Sequence, residues 1–129
     1  VNDGAQAQAA ADERIARAGA AGAKLASRDL QAVRALGMPI GANAEAFIAR
    51  TPAATGRKPD PALMAQLSAA ATRRAPGEVA IHAALALGDG AEALDAADLV
   101  VIVKALNDVG LGDSARAVAV EAIIGGQAR

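Results

Sequence analysis

The stretch Asp95–Gly126, DAADLVVIVKALNDVGLGDSARAVAVEAIIGG, decides the fold. Leu99, Ile102, Val103, Leu106 and Val109 recur at three- and four-residue steps, which places them on one face of a helix. Asp95 stands where its carboxylate can accept from the free N–H groups of the first turn, and Asp98 lies where the helix dipole favours negative charge. Gly110 is a stop signal, since glycine enters the left-handed region without steric cost. Asp113 then reads as the cap of a second helix carrying Ala115, Val118, Ala119, Ala122 and Ile123 on one face, with Gly125 and Gly126 expected to end it. So short a connection predicts two antiparallel helices.

Composition extends this reading to the whole chain. Of 129 residues, 39 are alanine and one, Phe47, is aromatic. Alanine has the highest helix propensity, and sheets depend on branched and aromatic side chains, so an all-α fold follows. Its core must be thin, with helices close together, because alanine offers little area to bury. The length suits a single domain spanning 1–129. Cysteine is absent, which excludes disulfides, thiolate nucleophiles and zinc–sulfur sites.

Working outward toward the N-terminus, residues 1–26 read as one helix, capped by Asn2 or Asp3 and weakened locally by Gly19 and Gly22. Ser27 is expected to cap the next helix, which carries Leu30, Val33 and Leu36 and closes at Gly37. Asn43 is expected to cap a short one holding Phe47 and Ile48. Thr51–Pro61 is a loop, with Arg57 and Lys58 exposed, and Asp60 followed by Pro61 is a strong start signal. The next helix presents Leu63, Met64 and Leu67. Pro76 ends it and opens another, with Val79, His82, Ala83 and Ala86 on its face and Gly88 at its close.

The segments 27–51, 60–88 and 95–126 are then three helical hairpins behind an N-terminal helix. Their second helices begin near Asn43, Pro76 and Asp113, steps of 33 and 37 residues. That period predicts antiparallel hairpins stacked as a short α-solenoid, with a closed irregular helix bundle as the alternative. The run Gly110, Leu111, Gly112, Asp113, Ser114, Ala115, with Ala119, Ala122 and Ile123, resembles the second half of a tetratricopeptide repeat. Leu99, Ile102 and Leu106 occupy the places where that family packs large apolar side chains. The resemblance spans 95–126 and implies a helical-hairpin scaffold for protein binding.

Chemistry is sparsely represented. His82 is the single histidine, four residues after Glu78 on the same helical face, so a carboxylate–imidazole pair is available to a small enzyme or ligand binder. Asp89, Glu92, Asp95 and Asp98 follow at three-residue steps, an oxygen-rich run that suits a hard cation but lacks the ligand pattern of a calcium loop. No nucleophile signature accompanies them, and Gly110 and Gly112 lack a preceding strand and a third glycine. The expectation is therefore no catalytic, cofactor-binding or metal-ligating residue, and no cofactor.

Residues 1–74 carry ten Lys/Arg against six Asp/Glu, and residues 75–129 three against eight. Two solvated faces of opposite sign account for this, and head-to-tail association is the sharper reading. Arg57, Lys58, Arg73 and Arg74 form a modest basic cluster without stacking aromatics, which speaks against nucleic acid. No apolar run is long enough for a membrane span and no leader pattern is visible. What remains is surface. Val100, Val101 and Val120 fall off the main core faces of the last hairpin, so the surface around Val100, Val101, Val103 and Val120 is the expected docking place for another protein or for a second copy, with the groove lined by the first helices as the alternative. A non-catalytic structural or protein-interaction module is the expected function.

Overall fold

The punctuation in the sequence becomes helix ends in most places. The computed structural model describes residues 3–88 and 90–127. Among them run seven helices: α1 (Asp3–Ala18), α2 (Ala23–Ala35), α3 (Gly41–Arg50), α4 (Pro61–Thr72), α5 (Pro76–Leu87), α6 (Ala96–Asp108) and α7 (Gly112–Gln127). The all-α expectation holds, with one isolated bridge, Arg57 to Leu94, among the described residues. Asp60 caps α4 by accepting from the Ala62 N–H at 2.8 Å, and Pro61 occupies the first turn. Gly110, at φ +86°, closes α6 and turns the chain into α7.

Three helix starts differ from expectation. The N-terminal segment is not one helix to residue 26. Gly19, at φ +62°, breaks it, and the chain turns through residues 19–22 before α2 begins at Ala23. Ser27 therefore lies inside α2, fully buried, and its hydroxyl donates to the Thr51 carbonyl at 2.9 Å. Asn43 lies inside α3, where its amide donates to Asp12 at 3.0 Å and ties α3 to α1. Asp113 falls within the first turn of α7, exposed and paired with Arg116.

At its far end α7 runs on through Gly125 and Gly126. A Cβ at Gly125 would stand 2.5 Å from the Glu92 Cβ, and one at Gly126 would stand 2.6 Å from Arg28 Nη2. These glycines admit neighbours rather than stop the helix.

The hub of the packing is α6, which lies against α2, α4, α5 and α7. Its face Leu99, Ile102, Val103 and Leu106 is buried, as the spacing predicts, and it meets Leu67, Val79, Ala83, Ala115, Ala119 and Ala122. Each fully buried Leu, Ile or Val side chain contributes about 1.5–3 kcal/mol. The pairs α4–α5 and α6–α7 form the expected second and third hairpins, and α4 and α5 both pack on α6. The N-terminal helices are joined to the third hairpin through α2, which packs on α6 and α7 but not on α4 or α5. These packing pairs fit a helical bundle or a solenoid.

A smaller cluster, Ala11, Ala26, Leu30, Ile40, Ala44 and Phe47, holds α1, α2 and α3 together. Helix α2 belongs to both clusters, with Ala32 facing the large one and Leu30 the small one.

Candidate functional site

Helices α1 and α7 each pack against α2 but not against each other. Between them lies a groove of about 390 Å³ whose floor is Leu30, Val33 and Leu36 of α2. The α1 wall is Ala7, Ala10 and Ala11, and the α7 wall is Ala119, Val120 and Ile123. A volume of this order accommodates a few large apolar side chains or a small ligand.

The groove is apolar except at its charged side chains, Arg14, Asp29 and Arg116. Asp29 is only 5 % exposed. Its Oδ2 accepts from Arg14 Nε at 3.3 Å and Nη2 at 3.1 Å, which fastens α1 to α2. Arg28, buried beside it, has Nη2 at 3.6 Å from Asp29 Oδ1. The Arg28 guanidinium also donates from Nη1 to the Glu92 carbonyl at 2.7 Å and from Nη2 to the Ala122 carbonyl at 2.8 Å. Burial pushes the Asp29 carboxyl above its ordinary range, and the attraction of Arg14 and Arg28 offsets this only in part. Arg28 Nε and Asp29 Oδ1 have no hydrogen-bond partner, so the network is incompletely satisfied between these two neighbouring side chains.

The four valines separate. Val120 is half exposed and lines the groove, Val101 is partly exposed on α6, and Val100 is half-buried. Val103 is fully enclosed in the core. It is removed from the docking surface, because the apolar face of α6 is wide enough to bury two adjacent residues, Ile102 and Val103.

The proposed imidazole–carboxylate pair is not formed: Glu78 is held by Arg73, and His82 is half-buried with an enclosed, unpartnered Nδ1. Asp89 lies outside the described residues. Of the other members of that acidic run, Glu92 lies against Gly90 and Gly125. Asp95 is buried and turned to the 51–60 loop, accepting from the Gly56 N–H at 3.1 Å and from Lys58 at 3.2 Å. Burial alone would raise its carboxyl, but Lys58 and the Gly56 N–H prevail and hold it below the ordinary carboxylate range. Among the described residues no three acids or histidines gather in the manner of a metal site.

The basic cluster is likewise dispersed. Arg57 donates to the Ala86 and Leu87 carbonyls, Lys58 pairs with Asp95, Arg73 with Glu78, and Arg74 donates to the Asp108 carbonyl. No described helix is long and apolar enough to cross a membrane.

Sequence reasoning found the groove floor as the apolar face of α2 but missed Arg14, Arg28 and Asp29. The available signal was faint, because Arg28 and Asp29 are adjacent opposite charges in a helix that also carries Lys24, Gln31 and Arg34. Comparison of the chain with protein-family models, curated proteins and solved structures finds no match.

Proposed function

We propose that this chain is a non-catalytic protein-interaction module whose docking site is the groove between α1, α2 and α7. The observation that carries the reading is an apolar slot between two helices that pack on a common neighbour and not on each other. The one charged group of its floor, Asp29, is engaged in structural pairing. Helix-in-groove recognition needs such a slot, with small wall residues that let a partner backbone approach. Ala7, Ala10 and Ala119 provide them. The tetratricopeptide-like reading of the last hairpin belongs to this proposal, and the inward Ala115, Ala119 and Ala122 of α7 support it.

Selection from a displayed library of random amphipathic helices tests the function. Binders should protect amides of α1, α2 and α7 from hydrogen exchange. A library that yields no binder, or binders that protect the surroundings of His82 and Glu78 instead, would overturn it.

A further inference from the structure

We infer that the partner is an acidic amphipathic helix, seated in the α1–α2–α7 groove with a carboxylate against Arg116; this rests on the interaction-module reading. Three observations lead there. First, the charged side chains of the groove that reach solvent are both arginines. The side chain of Arg14 is 23 % and that of Arg116 61 % exposed, whereas the single acid, Asp29, is 6 % exposed. Second, the two arginines differ in freedom. Arg14 is committed through Nε and Nη2 to a buried carboxylate, so moving it would strand Asp29. Arg116 is held by Asp113, whose side chain is 97 % exposed, and such a pair in water yields readily to a better-placed acid.

Third, the dimensions fit helix rather than strand. Leu30 to Leu36 covers seven residues, or about 9 Å of helix axis, so a partner would lay down roughly two turns. An extended peptide would bring unpaired N–H and C=O groups onto an apolar floor, whereas a helix satisfies its own. The partner would present apolar anchors at i, i+3 or i+4, and i+7, with acids at the end nearest Arg116 and none over the Asp29 end.

The experiment uses the full chain and two synthetic helical peptides of about 16 residues, with identical leucine anchors and either glutamate or lysine flanks. Affinities are read by fluorescence anisotropy, with decanoate as a small apolar anion in parallel. The glutamate peptide should bind at least about tenfold more tightly than the lysine peptide. Arg116→Glu should reverse that order, and Val120→Asp should abolish binding of both, with circular dichroism unchanged because both positions are exposed.

Equal affinity for the two peptides would overturn the acidic-partner inference while leaving the interaction module standing. Decanoate binding without peptide binding would overturn both, as would the absence of any binding. Concentration-dependent self-association that Val120→Asp removes would make a second copy the occupant, and would overturn the acidic-helix proposal.

Discussion

Arg28 in α2 donates to the carbonyl of Ala122 in α7 at 2.8 Å, joining residues 94 apart in sequence and fastening α7 to α2. The same guanidinium reaches the Glu92 carbonyl, so one side chain holds α2, α7 and the turn before α6 in register.

Replacing Arg28 removes both tethers and leaves Asp29 with Arg14 alone. Arg28→Met keeps the apolar bulk but deletes the charge, and should cost about 3 kcal/mol, within the range for breaking a buried pair. Urea denaturation followed by circular dichroism reads this directly. A loss under about 1 kcal/mol would show that the network has little structural weight.

Two carboxyls give opposite dependences on pH. The Asp29 value is raised above its ordinary 3.8, so its contribution is fully present below 3.8 and is lost as pH rises through the folded value. The Asp95 value is lowered, so its contribution is present above 3.8 and is lost as pH falls through the folded value. The stability difference between wild type and Asp29→Asn should therefore grow as pH falls toward 3.8. That between wild type and Asp95→Asn should shrink as pH falls below it. Denaturant titrations at a series of pH values test both signs.

Gly125 and Gly77 should respond oppositely to alanine. A Cβ at Gly125 collides with the Glu92 Cβ and Cγ, so Gly125→Ala should destabilise by about 1–3 kcal/mol despite alanine's better helix propensity. At Gly77, in the first turn of α5, nothing lies within 4 Å of the added methyl, and Gly77→Ala should stabilise by roughly 0.5–1 kcal/mol. Thermal unfolding of the two variants checks the contrast.

Val103 and Val101 lie on one helix with different fates. Val103→Ala removes two methyl groups from a closed core and should cost roughly 2 kcal/mol, whereas Val101→Ala should stay within about 0.5 kcal/mol. Chemical denaturation distinguishes them.

The α4–α7 half of the fold was legible because its signals are local: Asp60–Pro61 at a start, Pro76 between helices, Gly110 at a turn, and three-four spacing on α6. The N-terminal half was less so, for physical reasons that single residues do not display. Ser27 looks like a cap, yet its hydroxyl is taken by a carbonyl 24 residues away. Gly19 reads as a weak point within a helix, but in a segment with only Ile15 and Leu25 as large apolar residues nothing opposes a turn at residues 19–22. Asp95 stands at the N-cap position of α6 as the sequence reads, but its carboxylate is turned to Gly56 and Lys58 of the loop beside it. The groove itself depends on α2 packing beside the third hairpin, a long-range choice to which no local pattern points, so Leu30 and Val33 were visible as a face but not as a floor.

Methyl-resolved NMR of the full chain titrated with the glutamate-flanked peptide tests the central claim most directly. Shifts should concentrate at Leu30, Val33, Leu36, Val120 and Ile123, with Val79 and Ile81 of α5 unmoved. Shifts centred on α5 around His82, or none at saturating peptide, would contradict it.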